Sequence, residues 1–71
     1  MDDDIQALRT VESECLSRFQ EKARALRSEN PGMSAQVARA KAASLLPRTL
    51  EKYLAATSRL KYAGLAVKEW R

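Results

Sequence analysis

A chain of 71 residues with a formal charge of +4, one cysteine and no histidine is one domain at most. Those counts exclude a disulfide within the chain and a zinc site built from histidine and cysteine. The commonest catalytic base is missing, and two glycines, Gly32 and Gly64, cannot make a phosphate-cradling loop. A chain this short must stabilise itself by good helix packing or by self-association.

The charge is unevenly placed. Residues 1–29 carry seven acidic and five basic side chains, a net of −2, and residues 30–71 carry eight basic and two acidic, a net of +6. A basic C-terminal half is either a surface for an anionic partner or the complement of an acidic helix running antiparallel to it. No apolar run approaches the ~20 residues of a membrane span. The start Met1-Asp2-Asp3-Asp4 is the reverse of a basic secretion-signal start. The expectation is a cytoplasmic protein with no membrane insertion, and a lone Cys15, read as a small buried apolar residue, fits a reducing compartment.

Residues 4–29 predict one long helix. Ile5, Leu8, Val11, Cys15, Leu16, Phe19, Ala23 and Leu26 recur at spacings of three and four. Acidic residues at its start and Arg24 and Arg27 near its end suit the helix dipole. Asn30-Pro31-Gly32-Met33 then predicts a turn over 30–33. Pro31 moves Asn30 out of the α region, and Gly32 tolerates a positive φ if the turn needs one. Ser34 offers an N-cap oxygen for a second, alanine-rich helix over 34–46. Its inner stripe is read as Val37, Ala38, Lys41, Ala42 and Leu45.

Pro47 either kinks the chain or opens a new helix at its first position. The third helix is expected over 48–70. There Leu46, Tyr53, Leu60 and Val67 stand seven apart, with Leu50, Thr57 and Gly64 beside them. The small residues Ala55, Ala56, Ala63, Gly64 and Ala66 would let another helix approach closely.

The expected fold is therefore all-α, a single domain over 1–71. A long helix, an Asn-Pro-Gly turn and a segment kinked or broken at Pro47 form an αα-hairpin. Large apolar residues are few, so the hairpin is expected to assemble as a helical-bundle homo-oligomer, a dimer in the first instance. Leu8, Cys15, Phe19, Tyr53, Leu60 and Val67 would be its interface. No catalytic, metal or cofactor residue is assigned, and Asp2-Asp3-Asp4 is read as dipole-matching charge rather than a cation site.

Three binding readings stay open. Residues 28–34, followed by the alanine-rich helix and Leu50-Glu51-Lys52-Tyr53-Leu54, resemble helical hairpins of small bacteriophage and prophage accessory proteins. That resemblance implies a protein that engages and modulates or inhibits a host protein, in the host cytoplasm. Arg39, Arg48, Lys52, Arg59, Tyr62, Trp70 and Arg71 are the candidate contacts, because aromatic residues and arginine dominate hot spots. Trp70 has a second reading, as a residue folded back onto the bundle.

Residues 37–54 resemble the helix-turn-helix of factor-for-inversion-type DNA-binding regulators, with spacing one residue short. That resemblance implies that Arg48, Thr49 and Lys52 face the major groove or its phosphates. In the third reading a basic oligomer captures a small anion such as a nucleotide between its subunits, with Arg39, Lys41, Arg48 and Lys52 supplying the charge and Tyr53 stacking on it.

Overall fold

A computed structural model describes residues 2–70, with side chains from Asp4 onward. Arg71 lies outside the described residues, and of the acidic start only the Asp4 side chain is among them. The fold is all-α, with α1 (Asp2–Glu29), α2 (Ala35–Leu45) and α3 (Pro47–Tyr62) in order. None of these helices is long and apolar enough to cross a membrane.

α1 has 28 residues and is about 42 Å long at 1.5 Å per residue, so it runs the length of a rod measuring 45 × 16 × 15 Å. α2 and α3 return along it, each packed mainly on α1 and little on the other. The molecule is an αα-hairpin whose second arm is interrupted.

The turn between the arms follows its sequence signals. Met33 N–H donates to Asn30 C=O at 2.9 Å, and the Asn30 amide donates to Leu26 C=O at 3.0 Å, closing the end of α1. The Ser34 hydroxyl accepts from Val37 N–H at 3.2 Å and caps α2. Gly32 does not use a positive φ; among the described residues only Gly64 has one.

Pro47 breaks the second arm rather than bending it. Leu46, at φ −122 and ψ 66, ends α2 and precedes α3, and Pro47 occupies the start of α3, where a missing N–H costs nothing. Leu50 N–H then donates to Leu46 C=O at 2.9 Å, so the interruption is one residue long.

α3 stops at Tyr62, eight residues short of the expected end at 70. Gly64, at φ 81, supplies the left-handed residue of a Schellman ending. Leu65 N–H reaches Leu60 C=O at 3.0 Å and Gly64 N–H reaches Lys61 C=O at 2.9 Å. The spacing read as a seam through Gly64 and Val67 is thus a helix stop followed by a strap. A Cβ built on Gly64 would meet nothing within 4 Å, so close helix packing is not the reason for this glycine; its φ is.

The non-helical strap, residues 65–70, doubles back against the hairpin. Lys68 N–H donates to the Glu12 carboxylate at 3.1 Å, and the Tyr53 hydroxyl donates to Lys68 C=O. The Trp70 indole N–H donates to Arg39 C=O at 2.9 Å, and the Arg39 guanidinium lies 5.6 Å from the ring centroid.

The strap completes the core. Phe19, fully buried, meets Tyr53 edge-on at 5.8 Å and Trp70 at 5.4 Å between ring centroids. Further along α1, Ala23, Ala38 and Ala42 let α2 approach closely, with Leu26, Met33 and Trp70 packed around them. This placement turns α2 away from its expected register. Ala38 and Ala42 are inside as expected, but Val37 is 48% exposed, Leu45 52%, and Lys41 faces solvent. Trp70 covers the Arg39 side of α2, a contact that helical periodicity does not encode.

Glu12 is 3% exposed on the apolar stripe of α1, held by Arg9 at 3.1 Å and by the strap. Thr57 answers its own burial by donating to Tyr53 C=O at 2.9 Å.

Burial holds the Tyr53 phenol above its usual value; Glu12, Glu69 and Cys15 push the same way, against a backbone hydrogen bond at Trp70. The folded chain therefore keeps this proton to higher pH than the unfolded chain does. The contribution is complete below the ordinary tyrosine value of ~10 and is lost as pH rises through the folded value. The urea midpoint is expected to fall as pH rises past ~10, less steeply in Tyr53→Phe than in the parent. Equal slopes would refute this assignment.

Candidate binding groove between the first and third helices

On one side of the hairpin α1 and α3 line an open groove of about 380 Å³. Its floor is apolar, with Leu8, Val11 and Cys15 from α1 and Ala55 and Ala56 from α3. These positions follow from helical spacing. Leu8, Val11 and Cys15 recur at three and four on α1, and the two small alanines keep α3 low opposite them. The rim carries Arg18 from α1 and Lys52 and Arg59 from α3, against one carboxylate, Glu14.

Arg18, Lys52 and Arg59 are exposed, and their side chains make no ion pair or hydrogen bond among the described residues. Arg18 and Thr49 also line a second hollow, of about 330 Å³, that continues toward Lys22, Ala25 and Leu46. The two form one elongated surface along α1.

The lone thiol sits in this floor, 4% exposed. Burial raises the Cys15 pKa, and Lys52 and Arg18 oppose that rise only in part. A thiolate is therefore scarce at neutral pH, and the residue behaves as packing rather than as a nucleophile. Iodoacetamide is expected to label Cys15 at least about tenfold more slowly in the folded chain than in urea. Equal rates would contradict its burial.

The residues singled out from the sequence fall in several places. Arg48, Lys52 and Arg59 lie exposed along α3, but only Lys52 and Arg59 line the groove. Tyr62, at the end of α3, is 96% exposed. Trp70 and Arg39 meet each other on the strap side, in a hollow shared with Gln20, Arg24 and Arg27. Arg71 lies outside the described residues.

Of the three residues assigned to DNA, Arg48 and Lys52 are exposed and Thr49 is buried along the groove. α2 and α3 follow one another along α1 with one residue, Leu46, between them. Within one chain Arg39 and Lys52 line different hollows, and the Tyr53 ring is closed inside the core. Of the six residues assigned to self-association, Cys15, Phe19, Tyr53 and Leu60 are buried within the chain's own fold, and only Leu8 and Val67 stay half-exposed.

Sequence reasoning missed Ala55, Ala56, Val11 and Arg18 as parts of one surface. The signal was present as a cation one turn beyond each apolar stripe, but which faces line the groove depends on where the strap fills the other side. Among the described residues no three histidine, cysteine, aspartate or glutamate side chains cluster as a metal site would require. Compared with known proteins, the chain matches no family model, no curated protein and no solved structure.

Proposed function

We propose that this chain is a non-enzymatic binding protein that engages and modulates a partner protein through the groove between α1 and α3. The observation that carries the reading is the combination of an apolar floor with three rim cations whose side chains make no ion pair or hydrogen bond among the described residues. Exposed apolar surface beside unpaired charge is the arrangement of a protein-docking site. A duplex is held chiefly through its phosphates, contacts that make no use of an apolar floor.

The resemblance to small bacteriophage helical hairpins supplies a context, in which the partner is a host protein that the chain modulates or inhibits. The reading does not require self-association. A dimer would have to form on Leu8, Val67 and the exposed Val37, Leu45 and Leu54.

The test compares the parent with Ala55→Glu, which places a charge in the floor, and with Arg27→Glu on the other side of the hairpin. Bait captures from nuclease-treated host lysate are expected to contain a stoichiometric protein that Ala55→Glu loses and Arg27→Glu retains. Capture unaffected by Ala55→Glu, or binding only to nucleic acid in a gel shift, would overturn the reading.

A further inference from the structure

Resting on the groove as the working surface, we infer that its occupant is an acidic amphipathic helix of the partner. Three observations converge on that class. The groove and the hollow joined to it through Arg18 and Thr49 extend from Leu8 to Ala25 along α1. That is about 26 Å at 1.5 Å per residue, a reach that suits about five turns of helix rather than a compact small molecule.

The floor offers Leu8, Val11 and the small side chains Ala55 and Ala56, over which apolar residues at positions i, i+3 and i+7 of a docked helix can settle. The cations then stand where such a helix turns polar. Lys52 and Arg59 are seven residues apart on α3, and Arg18 and Lys22 are four apart on α1. Carboxylates spaced four and seven apart on the docked helix meet both rims. Glu14 and Glu21 sit among them, so the surface rejects a uniformly anionic rod and selects a partner with charge on two flanks and an apolar centre.

The strap on the opposite side shows what the arrangement is not. There Tyr53, Glu12 and Arg39 already hold backbone and indole groups of the chain itself, and among the described residues no such segment covers the floor formed by Ala55 and Val11.

The probe is a labelled amphipathic peptide of about 18 residues, with leucines along one face and glutamates flanking it. Three comparators go with it: a scrambled peptide of the same composition, a lysine-for-glutamate version, and a labelled DNA duplex. Anisotropy is read with the parent chain and with the double variant Lys52→Glu/Arg59→Glu, whose two sites are exposed and whose circular dichroism should match the parent.

The acidic amphipathic peptide is expected to bind the parent at least about tenfold more tightly than the scrambled one. The double variant should lose that binding and gain affinity for the lysine version. Equal binding of the scrambled peptide, tighter binding of the duplex, or no charge-swap rescue would overturn the inference. If the peptide fails while Ala55→Glu still abolishes capture of a host protein, the groove is the working surface but its occupant is of another class. If both fail, the functional reading falls as well.

Discussion

Phe19→Ala is expected to unfold most of the protein at room temperature. Phe19 is fully buried, and its ring meets both Tyr53 and Trp70. Truncating a buried phenylalanine costs about 3–5 kcal/mol. A single core in a chain this small supplies only about 3–5 kcal/mol in total, so the loss is comparable to the whole. Helical circular dichroism should fall at 25 °C, or the melting midpoint should drop by at least roughly 15 °C. Phe19→Leu keeps part of the contact and should remain folded with a smaller drop. A midpoint for Phe19→Ala within a few degrees of the parent would mean that the aromatic cluster is not the centre of the fold.

The second large effect is expected from removing the strap by ending the chain at Gly64. This deletes the Trp70 ring from Phe19, the Lys68 N–H from Glu12 and the Lys68 carbonyl from Tyr53. Uncovering one large apolar side chain is worth about 1.5–3 kcal/mol, and each hydrogen bond adds about 1 kcal/mol. Glu12 would keep Arg9 as its ion-pair partner but lose its backbone donor. The shortened chain should melt well below the parent and bind a hydrophobic dye through the exposed Phe19 and Tyr53. Trp70→Phe separates the contributions, since it keeps an aromatic ring on Phe19 and loses only the indole donor to Arg39 C=O. A shortened chain as stable as the parent would show that the strap lies on the hairpin without supporting it.

Those two effects also mark where the sequence was readable and where it was not. α1 was legible because its apolar residues recur at three and four from Ile5 to Leu26, and one carboxylate on that face, Glu12, does not displace a period of 3.6. The turn at Asn30–Ser34 and the break at Pro47 were legible because proline and a serine cap act locally.

The end of α3 was not. Tyr53, Leu60 and Val67 keep a seven-residue spacing through Gly64, and the spacing outweighed the helix-stopping pair Gly64-Leu65, which is the local signal that decides the structure. Missing the strap then misplaced its neighbours. Tyr53 and Leu60, expected at an interface with a second copy, are covered by the chain's own fold, and helical spacing alone turns α2 toward Val37 and Leu45, whereas Trp70, folded back as its second reading has it, packs beside Ala38 and Ala42.

The basic α3 residues were legible as a surface, and Lys52 and Arg59 line the groove. Its floor was not, because it depends on which side of the α1–α3 pair the strap fills. That is a tertiary choice carried by three hydrogen bonds from residues 53, 68 and 70.

The central claim, that the α1–α3 groove is the working surface, is tested most directly by residue-resolved NMR. The isotope-labelled chain is titrated with the acidic amphipathic peptide. Amide shifts are expected along α1 over residues 8–18 and along α3 over residues 49–59, with Ala55 and Lys52 among the largest. The single indole N–H, from Trp70, lies on the strap side and should stay where it is. Shifts centred on α2 and the Trp70 indole, with the groove residues unmoved, would contradict the account.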